Sequence, residues 1–113
     1  MSNLSKAESE FAEQVIDVLW TMGSVVAKEN QTIVELYKDN ILFGKIENKK
    51  ILLMDSGGIF SEVNKELVTQ ALKERRQYIY RDKLLVIMTK AYWLARKRKK
   101  SNEHLQYLLK MQM

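Results

Sequence analysis

The chain has 113 residues, 46% of them hydrophobic, which fits one globular domain with a single core and argues against a disordered chain. It contains no cysteine, so disulfide bonds and thiolate chemistry are excluded. Its 19 Lys and Arg outnumber its 14 Asp and Glu, giving a net charge of +5. No apolar run approaches the roughly 20 residues that span a bilayer, and residues 1–6 lack a secretory pattern. We therefore expect a soluble, cytoplasmic protein without a membrane partner.

The first predicted element is an amphipathic helix over residues 5–22. Ser5 and Glu8 have the spacing of a capping box, in which each side chain binds a backbone N–H at the helix start. Gly23 stands where a C-terminal cap belongs. One apolar face follows from helical spacing; it consists of Phe11, Val15, Val18, Leu19 and Met22.

A β-meander is predicted after Gly23. Short stretches rich in Val, Ile, Leu and Tyr alternate with separators rich in Asn and Asp, which favour tight turns. These stretches are residues 24–28, 32–37, 41–46 and 50–54. The spacing predicts four antiparallel strands, one face of which packs on the first helix.

The second half of the chain is predicted to be mainly helical. Residues 55–58 end the meander, and a second helix runs from Ser61 to about Gln77. Late strands are predicted at residues 78–80 and 84–88, followed by a helix from Lys90, although residues 84–94 also satisfy helical spacing. The sequence does not decide whether residues 90–110 form one helix or two helices with a break near residues 101–102. The whole chain, residues 1–113, is predicted to be one α+β domain.

The sequence contains no recognisable set of catalytic residues. The sole histidine is His104, no cysteine is present, and no serine lies in a Gly-x-Ser-x-Gly setting. We therefore expect a protein that is not an enzyme and that uses neither a metal nor another cofactor.

The clearest functional signal is a run of five adjacent cations next to two aromatic residues. The predicted nucleic-acid site comprises Tyr92, Trp93, Arg96, Lys97, Arg98, Lys99 and Lys100. Phosphates would balance the repulsion within the run, and Tyr92 or Trp93 could stack on an exposed base. The pattern predicts a small regulatory protein that binds DNA, RNA or a nucleic-acid-bound protein such as a transcription factor. A solvated helix end, or an acidic protein or lipid surface, would also account for the run.

An alternative interpretation is that the protein is a protein–protein interaction module that makes no contact with nucleic acid. Leu105, Leu108 and Leu109 recur at helical spacing and could form an interface in a homodimer or in a chaperone-like or inhibitor complex. Ordinary core packing of the last helix is the alternative explanation for these leucines.

Three segments carry a resemblance to a known family. Residues 19–25 (LWTMGSV) end a helix, and residues 36–46 (LYKDNILFGKI) are followed by the apolar strand 51–54 (ILLM). In these segments the chain resembles the N-terminal domain of the TfoX/Sxy family, bacterial regulators of competence for DNA uptake. The resemblance implies an order of helix, meander, helix and late strand, and a regulatory role in a bacterium or phage. Its matching residues are structural, so it assigns no functional residue.

Overall fold

The computed structural model describes residues 4–74 and 76–111. Helix α1 (Lys6–Leu19) continues into a short 3₁₀ turn (Trp20–Met22). Five strands follow: β1 (Val25–Asn30), β2 (Ile33–Lys38), β3 (Ile41–Glu47), β4 (Lys50–Met54) and β5 (Phe60–Glu62). Helices α2 (Lys65–Lys73) and α3 (Ile79–Met111) complete the fold. The predicted α+β class is confirmed.

Helix α1 begins as its sequence predicts. The backbone N–H of Glu8 donates to the Ser5 hydroxyl at 3.2 Å, and the Ser5 N–H donates to the Glu8 carboxylate at 3.4 Å, which completes the capping box. The buried side of the helix comprises Ala12, Val15, Val18 and Leu19. This apolar side joins the main core.

The strands form one antiparallel sheet in the order β1-β2-β3-β4-β5. The four predicted strands are confirmed, and their turns use the expected residue types. Asp39 and Asn40 join β2 to β3 with φ of 53° and 62°, and Asn48 and Lys49 join β3 to β4 with φ of 50° and 58°. Such positive φ values give two-residue turns a twist that matches the flanking strands. The turn residues therefore set the register of the central hairpins.

The two faces of the sheet differ in exposure. Side chains on the inner face are buried; they are Val34, Leu36, Ile46, Ile51 and Leu53. The intervening positions, such as Glu35, Lys45 and Leu52, are only half-buried, which is typical of an antiparallel sheet with one face in water. Helix α3 crosses β3 and β4, and the first helix, which was predicted to pack on the sheet, contributes its buried side chains to the same core as the inner face. Helix α2 packs beside α3.

The segment after β4 departs from the prediction. Residues 55–59 do not end the meander, because the Asp55 carboxylate accepts the N–H groups of Gly57 and Ile59 at 2.8 and 2.9 Å and closes a further hairpin turn. Strand β5 then pairs with β4 over Ser61 and Glu62, where a helix was predicted. Helix α2 begins three to four residues later at a capping Asn64, and it ends at Lys73, before the predicted end.

The predicted late strands at 78–80 and 84–88 are wrong, as is a helix start at Lys90. Residues 79–111 form one 33-residue helix with no break at 101–102. The helical alternative prevails because it aligns one face for burial; that face comprises Leu84, Met88, Ala91, Tyr92 and Ala95. Burial of this face outweighs the local β preference of Val86 and Ile87.

Tyr92 ties α3 to the sheet through a polar contact and an aromatic contact. Its hydroxyl donates to the Asp39 carboxylate at 2.6 Å, and its ring meets the edge of Phe43 with 6.2 Å between centroids. Phe43 lacks a partner in the β2–β3 register, which shifts between Leu36 and Tyr37. The hydrogen bond to Asp39 and burial of the ring raise the pKa of Tyr92.

Replacing Tyr92 by Phe removes the bond to Asp39 and should lower the free energy of unfolding by about 1.5 kcal/mol near pH 7. Because its pKa is raised above 10.0 in the folded state, the folded protein holds this proton more tightly than the unfolded chain. The Tyr92 contribution is therefore complete below pH 10 and is lost as the pH rises through the raised pKa. Urea unfolding of both proteins between pH 7 and 11 should show the difference shrinking above pH 10. A difference that stays constant with pH would contradict this account.

Candidate nucleic-acid interface

Helix α3 has a buried half and an exposed half. Between Leu84 and Ala95 one face lies in the core, whereas every residue from 97 to 111 is exposed. At about 1.5 Å per residue the helix is about 50 Å long, which accounts for most of the 56 Å longest dimension of the molecule. The second half therefore projects beyond the sheet.

The predicted cation run lies where α3 leaves the body of the protein. Lys97, Lys99 and Lys100 are exposed, whereas the Arg96 guanidinium lies 4.9 Å from the centre of the Trp93 ring. The Arg98 guanidinium packs on the β4–β5 turn, because a Cβ at Gly58 would lie only 2.6 Å from its Cζ. Across the described residues, none of the five cations forms an ion pair. Their charge is therefore available to an anion.

The two predicted aromatic residues occupy different environments. Tyr92 is only 2% exposed, so its ring is not presented to a base. Trp93 is 54% exposed, its ring centroid lies 5.5 Å from that of Tyr92 in an edge-on arrangement, and Arg96 lies next to its ring. Of the pair, only Trp93 stands at the surface, and base stacking at this site is limited to its ring.

Two further lysines, Lys83 and Lys90, show that the cationic surface extends along the helix. Lys83, Lys90 and Lys97 lie seven residues apart and are all exposed, so they follow one line of α3 at intervals of about 10 Å. Lys100 is exposed one turn beyond Lys97, on the neighbouring line that also carries Val86 and Trp93, and we call the four lysines the lysine row. Val86 and Trp93 are exposed between them. No acidic residue of α3 lies between Asp82 and Glu103.

The sequence reasoning missed Lys90 as part of this surface and joined Lys83 to the cation run only on the condition that the fold brings them together. The signal was their seven-residue spacing from Lys97, which has meaning only on a continuous helix. Assigning residues 84–88 to a strand hid that periodicity.

The leucines predicted at an interface are exposed on the projecting half. Leu105 is 57% exposed, and Leu108 and Leu109 are exposed beside it, as are Tyr107 and Met111. Ordinary core packing therefore does not explain these leucines. They form an apolar strip along the helix beyond the cation run.

The described parts of the chain contain no group of three or more His, Cys, Asp or Glu side chains arranged to hold a metal ion. Within the same residues, no helix combines the length and the apolar character needed to cross a bilayer. His104 is exposed on the projecting half of α3.

Comparison with protein-family models, curated proteins and solved structures finds no significant match to this chain. The resemblance to the TfoX/Sxy family therefore stays a prediction from sequence.

Proposed function

We propose that this protein is a small non-enzymatic regulatory or adaptor protein that binds nucleic acid through the lysine row and the cation run of α3. The observation that carries the proposal is a row of exposed lysines that form no ion pair among the described residues, on a helix whose first half is buried against the sheet. A phosphate backbone is a linear polyanion, which suits an extended row of cations better than a compact anion does.

The electrostatics of the helix support this proposal. Five adjacent cations in one helix repel each other, and a polyanion removes that repulsion while releasing its own condensed counterions. The Trp93 ring lies within the row and supplies an apolar surface for a base. Binding should therefore depend steeply on salt concentration.

The lysine row can be tested by changing Lys83, Lys90 and Lys97 to Gln. Because each neutralised phosphate contributes about −0.9 to the slope of log affinity against log salt, the variant should lose up to roughly three units of slope. Fluorescence anisotropy of labelled single- and double-stranded DNA and RNA across a salt series measures this slope.

A matched variant changes Lys6, Lys28 and Lys49 to Gln, which lowers the net charge equally but leaves α3 intact. It should keep most of the wild-type slope. Equal losses in both variants would show that only net charge matters, and no binding at low salt would overturn the proposal.

A second candidate function is protein–protein association through the leucine strip. The specific observation in its favour is that Leu105, Leu108 and Leu109 are exposed together on a projecting helix. Contiguous exposed apolar surface often marks an interaction site. A homodimer formed there would require no contact with nucleic acid.

Static light scattering tests this second function with Leu105 and Leu108 both changed to Glu. If the strip pairs two copies, the wild-type protein should be a dimer and the variant a monomer, because buried carboxylates without partners are costly. The control changes Gln106 to Glu and Lys110 to Gln, which gives the same change in charge and should leave the dimer intact. A wild-type monomer would count against a homodimer.

A further inference from the structure

A groove lies between α1, α2 and the β3–β4 turn, and its described lining includes no residue of α3. Its volume is about 640 Å³, within the range of small-molecule sites. Apolar side chains from four elements or their ends line it: Phe11, Ile51, Val63, Val68 and Leu72. Phe11 and Leu72 are half-buried, so part of this apolar lining faces the open groove.

The rim of the groove is strongly cationic. Lys49 and Lys50 stand on the side of the β3–β4 turn, and Lys65 and Lys73 stand at the two ends of α2. One carboxylate, that of Glu62, lines the groove, and it lies 3.9 Å from the Lys50 ammonium. Three lysines thus face the groove without a paired carboxylate among the described residues.

We propose that this groove binds a long-chain carboxylate, whose hydrocarbon chain covers the apolar lining while its carboxylate meets a lysine of the rim. An apolar floor favours a hydrocarbon body, and the excess of lysines favours an anionic head. A neutral ligand would gain no electrostatic attraction to the lysines of the rim, and a cation would be repelled by them.

This proposal is independent of the nucleic-acid function. None of the four residues of the lysine row lines the groove. Loss of one activity would therefore leave the other intact.

The test is a ¹H–¹⁵N NMR titration of the full chain with three probes: dodecanoate below its micellar range, dodecanol and acetate. Dodecanoate should give saturable shifts at amides of residues 48–51 and 62–73. It should bind at least about tenfold more tightly than dodecanol, because the two share a chain and differ in charge. Acetate, which has the charge without the chain, should give no saturable shift.

Two variants locate the site. Thr69 lines the groove from an exposed position on α2, so T69W should fill the groove and abolish dodecanoate binding without disturbing the core. The control is Q70W, at an exposed neighbour that does not line the groove. Changing Lys65 and Lys73 to Gln should weaken dodecanoate about tenfold and leave dodecanol unchanged.

Equal affinity for dodecanoate and dodecanol would overturn the assignment, as would shifts confined to Leu105, Leu108 and Leu109. Absence of any saturable shift would also overturn it. If an acidic peptide rich in Glu and Leu shifts the groove amides while dodecanoate does not, the groove is a protein-docking surface instead.

Discussion

The contact between α3 and strands β3 and β4 fixes the position of each candidate residue on the long helix. Leu84 and Met88 are fully buried there, and burial of each such side chain stabilises the fold by about 1.5–3 kcal/mol. Ala91 and Ala95 extend the same face with small side chains, which allow the helix to approach the sheet closely. Once this face is buried, helical geometry decides which residues face water.

Burial of this face of α3 has two consequences. It turns Lys83, Lys90 and Lys97 outward along one line, and it directs the remainder of α3 past the edge of the body. Helix formation is costly to start and easier to extend, so an anchored first half can support a second half whose side chains are exposed. The cation run lies at the junction between them, where Arg98 rests on the β4–β5 turn.

Local signals predicted much of the first half of the fold. The Ser5–Glu8 capping box and the Asp and Asn residues of the turns act within a few positions of the chain, so their effects are visible in the sequence. Strand β5 was missed because its three residues depend on pairing with β4, which no local pattern reveals. The late strands were wrong for a related reason, since only the presence of the sheet makes the helical face of residues 84–95 favourable.

The candidate site likewise combines features that are visible in the sequence with features that depend on the fold. The cation run is adjacent in sequence and was found directly, whereas the role of Lys90 required knowing that α3 is continuous. The burial of Tyr92 depends on Asp39 and Phe43, which lie far from it in sequence. Which of two adjacent aromatic residues faces solvent is thus a tertiary property.

The central claim is that α3 is anchored over its first half and free over its second. Hydrogen exchange followed residue by residue in the monomeric protein tests it most directly, because exchange reports local opening free energies. We expect the amides of residues 84–95 to exchange only through global unfolding and those of residues 100–111 to exchange orders of magnitude faster. Protection that continues at the global level through residue 111 would contradict the account and show that the projecting half is held by other contacts.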